Sequence, residues 1–232
     1  MIKFENVTKI YHPHSEDGHP TVALDDVSFE IKEGEFISVV GKSGAGKTTL
    51  TRLILGMEMP TSGEVFFRES NINKIDNLEL QTIRKKIGGI YQDYKLLPNK
   101  TVYENVAYIM QVEEKNNEEI EIEVPKVLEI IGLSEKLNNF PRELSGGEQQ
   151  RLAVARALVN HPEVILADEP TGNLDPYNTY EVISLLEKFW QNGRTVILLT
   201  HNREIVNKLG KRVITMENGR IVRDEVKGRF II

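Results

Sequence analysis

The chain has 232 residues, which is enough for one large domain with a well-buried core. Its composition, 40% hydrophobic and 28% charged, is that of a globular protein and excludes a disordered or fibrous chain. The net charge of -6 disfavours nucleic-acid binding, which needs clustered lysine and arginine. The absence of cysteine excludes disulfides and thiolate metal sites, and it suits a reducing compartment.

The apolar runs of the sequence are far shorter than the roughly 20 residues that a membrane-spanning helix needs. The best runs lie at residues 36–40, 164–167 and 196–199, and they are typical of buried strands. The first six residues contain Glu5 and no apolar stretch, so we expect no signal peptide there. Any membrane role is therefore expected to come through a partner.

The beginning of the chain alternates between strand patterns and turns. Strands are expected at Ile2–Tyr11, 22–31 and Phe36–Val40, with a polar surface loop at 12–20 between the first two. A glycine-rich loop follows the third strand, and a helix is expected from about Lys47.

The middle of the chain, roughly residues 93–144, has longer helical periods, for example at Val102–Val112 and 124–131. The charge run at 113–123 is expected to be a solvated helix face rather than a binding site. We therefore predict a mostly helical subdomain within a single domain that spans residues 1–232.

The α/β pattern returns after residue 145. The expected elements are a helix, a strand at 164–167, a helix from Pro176, a strand at 195–199 and short strands at 213–216 and 220–223. Strands that alternate with helices predict a mainly parallel sheet with helices on both faces.

The glycine-rich loop matches the phosphate-loop pattern G-x-x-x-x-G-K-[ST] at every specified position. Its residues are Gly41, Lys42, Ser43, Gly44, Ala45, Gly46, Lys47 and Thr48. Glycines let the backbone approach phosphate oxygens, and the following helix N-terminus adds partial positive charge. Lys47 would reach the β- and γ-phosphates, and Thr48 would offer a hydroxyl to Mg²⁺. A glycine-rich turn that binds nothing is disfavoured by the strand before the loop and the helix after it.

The strand at 164–167 ends in two adjacent carboxylates, Asp168 and Glu169. Two acids at the end of a buried strand are costly unless they have a function. Asp168 would hold Mg²⁺, and Glu169 would act as general base on the attacking water. The alternative is a pair of solvated acids, which the complete phosphate loop disfavours.

The octet that begins at Leu144, LSGGEQQR, is a helix start in which Ser145 can act as N-cap. Gly146 and Gly147 expose backbone N–H groups there, which makes a second anion site in the chain. The octet resembles the signature motif of the ABC family of ATP-binding cassettes, and the resemblance covers essentially the whole chain. It implies a P-loop NTPase fold with a RecA-like, mainly parallel sheet, an N-terminal antiparallel β-subdomain and an inserted helical subdomain.

Further positions match this family in order along the chain. Tyr11 falls where the family has an aromatic residue that stacks on adenine, and Gln92 follows the expected strand Ile87–Tyr91, as in the Q-loop. Asp175 belongs to the D-loop and can also cap the helix from Pro176. His201 matches the switch histidine. Each could be structural if it stood alone, and their order along the chain favours the functional interpretation.

The resemblance implies an ATPase that works as a head-to-tail pair of chains with ATP and Mg²⁺ between them. The residues implied to act on the nucleotide of the same chain are Lys47, Thr48, Gln92, Asp168, Glu169 and His201. The other residues implied to contact nucleotide are Tyr11, Gly41, Lys42, Ser43, Gly44, Ala45, Gly46, Thr49 and Asp175. Thr48, Gln92 and Asp168 would hold the metal ion. Ser145, Gly146 and Gly147 would act on the γ-phosphate of the second chain's ATP. Because two acidic chains with bound ATP repel each other, we expect a monomer without nucleotide and a weak ATP-dependent dimer.

A finer resemblance, to the FtsE-type cell-division ATPases, is carried by residues 91–98, 101–107 and 166–175. It implies an FtsX-like integral membrane partner, activation of cell-wall hydrolases, and a cytoplasmic position on the inner face of the membrane. Lipoprotein-release and MacB-type efflux cassettes share part of this pattern and remain an alternative. A soluble ABC ATPase of DNA repair or translation is disfavoured, since coiled-coil or zinc insertions are absent.

Tyr94, Leu96 and Leu97 lie where cassettes of this family receive their membrane partner. They either face that partner or fill the core of the helical subdomain, and the sequence leaves both interpretations open. The loop at 12–20 is longer than the FtsE-type pattern. Its histidines, His12, His14 and His19, are not expected to bind metal, because a polar loop supplies no rigid geometry.

Overall fold

The computed structural model describes residues 1–12 and 19–230. The strands of these residues are β1 (Ile2–Tyr11), β2 (Thr21–Ile31), β3 (Phe36–Val40), β4 (Ser62–Phe67), β5 (Ser70–Asn71), β6 (Ile87–Tyr91), β7 (Val164–Asp168), β8 (Thr195–Thr200), β9 (Arg212–Glu217) and β10 (Arg220–Glu225). The α-helices are α1 (Lys47–Ile54), α2 (Asn77–Lys85), α3 (Val102–Val112), α4 (Asn117–Ile130), α5 (Gly146–Leu158), α6 (Pro176–Gln191) and α7 (Arg203–Leu209). Two short 3-10 helices lie at Ser134–Lys136 and Pro141–Glu143.

The described residues form two compact units: the first comprises 1–12, 19–84 and 195–230, and the second comprises 85–194. In the first unit, an antiparallel sheet has the strand order β2-β1-β4-β5. One face of this sheet is apolar and buried, and the rings of Phe4 and Phe29 stack there with centroids 4.7 Å apart. The predicted N-terminal antiparallel β-subdomain is thereby confirmed.

The first unit also contains a parallel arrangement in which β3 lies between β8 and β9, with β10 antiparallel to β9. All five residues of β3 are buried, as expected for a β-branched strand covered on both faces. The phosphate loop begins directly after Val40, at the carboxyl end of this central strand. Ligands of parallel sheets characteristically bind at that end.

The second unit contains the parallel pair β6 and β7, in register from Ile87 opposite Val164 to Tyr91 opposite Asp168. Gly88 is required in β6, because a Cβ there would stand 2.4 Å from the backbone oxygen of Ala157 in α5. Since the two strands are parallel and end together, the residues that follow them leave the pair at the same edge. Gln92 and Glu169 are those residues.

Helix α4 begins seven residues earlier than the predicted segment 124–131, so that boundary was wrong. Asn116 supplies the N-cap, since its side chain accepts a hydrogen bond from the backbone N–H of Glu119 at 2.8 Å. The helix continues through Pro125. The charge run is therefore partly helical, with Glu118 exposed and Ile120 buried. The boundaries of the helical subdomain remain a prediction.

Besides the two 3-10 helices, four elements had not been predicted: β4, β5, α2 and α7. Each of the four has nine residues or fewer. In α2, only Leu80 and Ile83 are buried. Within the described residues, no helix combines the length and the apolar character needed to cross a membrane.

Arg212 at the start of β9 holds an ion-pair network in the first unit. Its guanidinium donates to Asp224 through Nε and Nη2, each at 2.7 Å, and through Nη1 to Glu35 at 2.9 Å. Nη1 also donates to the backbone oxygen of Glu30 at 2.8 Å. The arginine side chain is only 15% exposed, so both carboxylates rely on a largely desolvated cation.

We expect Arg212→Gln to lower the free energy of unfolding by about 2–3 kcal/mol, because it leaves two carboxylates without their cation. In a chain of this size that corresponds to a melting temperature lower by about 5–10 °C. Arg223→Gln is the matched control, since Arg223 pairs with Glu225 only at 3.9 Å on the exposed strand β10. Equal melting temperatures for the two variants would contradict this account of the network.

Candidate active site

The phosphate loop is wedged against the backbone of two strands of its own unit. A Cβ on Gly41 would stand 2.5 Å from the backbone oxygen of Met216 in β9. A Cβ on Gly46 would stand 2.5 Å from the backbone oxygen of Ala23 in β2, and Gly46 also has a positive φ of 101°. Both glycines are therefore required by close packing, which fixes the loop at its two ends.

The interior of the phosphate loop suits an anion. The Lys47 side chain is buried, and its ammonium donates to the backbone oxygens of Gly41 at 2.7 Å and Lys42 at 3.2 Å. Helix α1 has no side-chain N-cap, whereas α3, α4, α5, α6 and α7 each have one. Without a side-chain cap, the partial positive charge of this helix N-terminus can act on a bound anion. A cavity of about 190 Å³ borders Ser43 and Gly44.

Tyr11 is held by the glutamate that follows α1. Its hydroxyl donates to Glu58 at 2.5 Å, and the ammonium of Lys9 lies 5.1 Å from its ring centroid. Burial and the hydrogen bond to Glu58 raise the pKa of Tyr11, and Thr49 also contacts its hydroxyl. Tyr11 and Thr49, both expected at the nucleotide, are thereby brought together within one unit. The stacking of Tyr11 on adenine remains a prediction.

Glu169 has an unusual backbone conformation for a residue other than glycine. Its φ is 49°, and the turn that it begins is closed by the N–H of Gly172, which donates to the Glu169 carbonyl at 3.2 Å. Asp168 is the last residue of β7, and its charge contributes, after burial, to the raised pKa of the neighbouring Tyr91. Such strain is concentrated at functional sites, which supports the assignment of this acidic pair.

Gln92 lies against the turn that follows the acidic pair. Its Nε2 donates to Oδ1 of Asn173 at 3.4 Å, and a Cβ on Gly172 would stand 2.9 Å from the same nitrogen. Asn173 thus holds the Gln92 side chain, and Gly172 gives it room. The structure brings Gln92 together with the segment that carries Glu169.

Ser145 caps helix α5, as predicted, in a capping box with Glu148. A Cβ on Gly147 would stand 1.9 Å from Oδ1 of Asn178 in α6, so this amide would have to move if residue 147 carried a side chain. Asn178 in turn donates through Nδ2 to Asp175 at 2.5 Å. The signature helix and the D-loop are therefore joined through one amide side chain.

Asp175 caps helix α6, also as predicted, and Pro176 occupies the first helical position. Its side chain accepts a hydrogen bond from the backbone N–H of Asn178 at 3.0 Å. This bond and the one from the Asn178 amide lower the pKa of Asp175. The D-loop carboxylate is thus ionised and oriented at neutral pH.

The predicted partner-facing residues Tyr94, Leu96 and Leu97 are all half-buried, so they belong neither to the core nor to the fully exposed surface. The buried side chain of Asn105 holds their loop. Its Oδ1 accepts a hydrogen bond from the N–H of Leu97 at 2.8 Å, and its Nδ2 donates to the Leu97 carbonyl at 3.1 Å. The Tyr94 hydroxyl lies 3.4 Å from the place where a Cβ on Gly146 would stand.

His201 follows β8 and is exposed, and its action as the switch histidine remains a prediction. Among the described residues, no cluster of three or more His, Cys, Asp or Glu side chains could hold a metal ion. His12 and His19 are exposed, whereas His14 and the rest of 13–18 lie outside the described residues.

The sequence interpretation missed three residues that orient predicted ones: Glu58 for Tyr11, Asn173 for Gln92 and Asn178 for Asp175. Asn178 could have been found, because it stands three residues after a predicted N-cap, where a polar side chain can return to the cap. Glu58 and Asn173 carry no comparable signal. Their roles depend on contacts between segments distant in the sequence.

Comparison with known proteins agrees with this geometry. A family model described as ABC transporter matches residues 24–172. The cell division ATP-binding protein FtsE of Streptococcus pneumoniae (strain D39) is 47% identical over 99% of this chain and 97% of its own length. The methionine import ATP-binding protein MetN of Carboxydothermus hydrogenoformans is 42% identical over 88% of this chain and 61% of its own length.

A solved structure has the same fold. The ATP-binding cassette MJ0796, determined as a dimer in a post-hydrolysis state bound to ADP and Pi, superposes with a TM-score of 0.89. It is 38% identical and covers 99% of this chain and 100% of its own. With the family model matching most of the chain and a relative 47% identical over nearly all of it, this chain belongs to the ABC transporter family, as one of its ATP-hydrolysing cassettes.

Proposed function

We propose that this chain is the ATP-hydrolysing subunit of a cell-division complex and that it drives an FtsX-like integral membrane protein. The observation that carries the proposal is the 47% identity, over nearly the full length of both chains, to a protein named cell division ATP-binding protein FtsE. Residues 91–98, which make the FtsE-type resemblance specific, form the half-buried loop after Gln92.

ATP binding would depend on the phosphate loop. Lys47, held by the carbonyls of Gly41 and Lys42, would turn its ammonium to the β- and γ-phosphates. Backbone N–H groups of the loop and the start of α1, which has no side-chain cap, would bind the phosphate oxygens. Tyr11 would stack on the adenine ring.

Thr48, Gln92 and Asp168 would hold Mg²⁺. Their donor set fits the ion, since hydroxyl, amide and carboxylate oxygens are the ligands that it prefers. When bound, the ion neutralises charge on the phosphate oxygens. Lys47 supplies a further positive charge at the same phosphates.

Hydrolysis would proceed by in-line attack of water on the γ-phosphorus. Glu169 would accept a proton from the attacking water as the new P–O bond forms. The bond between the γ-phosphorus and the bridging oxygen breaks, and ADP leaves with the electron pair. His201 would orient the γ-phosphate and the water.

Two copies would enclose the nucleotide, with Ser145, Gly146 and Gly147 of one copy acting on the γ-phosphate of the ATP bound to the other. The exposure of Ser145 and Gly146 supports this role, as does the dimer of the related cassette. ATP binding would close the pair and hydrolysis would reopen it, so that binding free energy becomes movement.

The membrane partner would contact the loop that carries Tyr94, Leu96 and Leu97, which places the complex at the cytoplasmic face of the membrane. Half-buried apolar side chains on a hydrogen-bonded loop suit such a contact, because they can be covered without refolding the chain. ATP cycles would move the partner and thereby activate cell-wall hydrolases.

A transport role is the second candidate, and the 42% identity to a methionine import protein favours it specifically. Lipoprotein-release and MacB-type efflux cassettes belong to the same class of alternative. In each of these, the ATPase chemistry is the same and only the membrane partner and its cargo differ.

The identity of the partner distinguishes the candidates. Tagged Glu169→Gln chain, which is expected to retain ATP and stay closed, would be purified from membranes of the native organism with ATP present. Recovery of an FtsX-like protein is the expected result, and Leu96→Asp should reduce that recovery. Recovery of an import, lipoprotein-release or efflux permease instead would overturn the cell-division role and leave the ATPase intact.

A further inference from the structure

A three-residue cluster surrounds the hydroxyl of the signature serine. The carboxylate of Glu148 accepts hydrogen bonds from the backbone N–H of Ser145 at 2.9 Å and from its hydroxyl at 3.0 Å. The other oxygen of this carboxylate accepts from the ammonium of Lys136 at 2.5 Å. Lys136 ends the short 3-10 helix Ser134–Lys136, which the sequence interpretation did not single out.

This arrangement places the negative charge of Glu148 beside Ser145, which is proposed to contact the negatively charged γ-phosphate. A serine hydroxyl has one proton, and here it is donated to Glu148. To bind a phosphate oxygen, Ser145 has to give the same proton to the phosphate. The carboxylate therefore competes with the phosphate for the proton and also repels the phosphate charge.

Lys136 weakens both effects. Its hydrogen bond is the largest cause of the lowered pKa of Glu148, so the carboxylate is a poorer acceptor for the serine proton. The side chains of Glu148 and Lys136 are only 17% and 38% exposed, so their charges are screened by solvent less than those of a surface pair.

We propose that Lys136 is a positioning residue for the signature: its ammonium neutralises Glu148, so that Ser145 and the start of α5 can receive the γ-phosphate of an ATP bound to a second copy of the chain. The inference rests on the proposed action of Ser145 across the dimer. Lys136 lies outside the LSGGEQQR octet, and its positive charge explains how the acid Glu148 can stand inside an anion-binding motif.

The test is a double-mutant cycle at Lys136 and Glu148. ATP-dependent dimerisation would be measured by analytical ultracentrifugation in the chain that carries Glu169→Gln. The kcat and KM for ATP would be measured in the chain that retains Glu169. We expect Lys136→Gln to weaken dimerisation about three- to tenfold and to raise KM more than it lowers kcat. The loss should grow at low salt, and Lys136→Arg should restore dimerisation.

In a Glu148→Gln background, Lys136→Gln should have no further effect, because the neutral amide needs no counter-charge. Lys126→Gln is the matched control, since Lys126 forms a similar ion pair with Glu123 at 2.8 Å on helix α4. Thermal unfolding of each variant reports any purely structural role of the pair.

Four results would decide against the inference. An equal loss from Lys136→Gln in both backgrounds, or a loss that follows the melting temperature, would show that the lysine acts only through structure. Unchanged dimerisation would show that the charge of Glu148 does not reach the phosphate. If the parent chain forms no ATP-dependent dimer at all, the action of Ser145 across the dimer fails, and this inference fails with it.

Discussion

Glu169→Gln is expected to lower ATP turnover by about two to three orders of magnitude while ATP binding persists. The amide cannot accept a proton from the attacking water, yet it has the size of the carboxylate and can keep the left-handed backbone, φ 49°, of this position. The phosphate loop, Lys47 included, lies elsewhere in the chain and is unchanged. The variant should therefore bind nucleotide and accumulate as the ATP-bound dimer.

Phosphate release measures the turnover, and equilibrium binding of a fluorescent ATP analogue measures the affinity. The control is Glu121→Gln on helix α4, because Glu121 is exposed and its substitution removes the same charge. Turnover within a few-fold of the parent would show that another group is the base. Loss of nucleotide binding would show that Glu169 is needed before the chemical step.

Gly147→Ala is expected to damage both the fold and the activity. The added Cβ would stand 1.9 Å from Oδ1 of Asn178, whose amide also binds Asp175. Alanine favours a helix over glycine by about 1 kcal/mol. Relief of the contact, however, moves the Asn178 amide away from Asp175 and Arg151, and hydrogen bonds to such charged groups contribute about 1.5–3 kcal/mol each, so the steric effect prevails. We expect a melting temperature lower by about 2–8 °C and at least a tenfold loss of turnover.

Gly146→Ala is the matched comparison for stability. The nearest atom to its added Cβ is the Tyr94 hydroxyl at 3.4 Å, an ordinary contact, so its melting temperature should equal or exceed that of the parent. Combining Gly147→Ala with Asn178→Ala should recover part of the lost stability. A Gly147→Ala chain as stable as Gly146→Ala would show that Asn178 can move away at no cost.

Three strands of the fold, β3, β7 and β8, could be predicted because they are buried on both faces. In β3, β7 and β8 the runs are β-branched and continuous, and the polar residues after them mark the ends. The start of α4 could not be placed, since Asn116 is one polar residue in a polar run and Pro125 favours a later beginning. Only packing of Ile120 and Val124 against the core distinguishes the longer helix.

The site likewise contains residues that the sequence predicts and residues that it does not predict. Lys47, Ser145 and Asp175 act through local backbone patterns, and the sequence contains all of those patterns. The partners that orient the site residues act across long distances in the chain. Gln92 meets Asn173 eighty-one positions away, and no local pattern predicts such a contact.

The loop after Gln92 combines an uncommon backbone with several hydrogen bonds. Tyr94 and Lys95 are consecutive non-glycine residues with positive φ, 58° and 51°. Their N–H groups donate to the carbonyls of Tyr91 at 3.2 Å and Asp93 at 2.6 Å, and Arg156 donates to the Lys95 carbonyl. Because residues other than glycine seldom adopt this backbone, the shape of the loop depends on these bonds rather than on local preference.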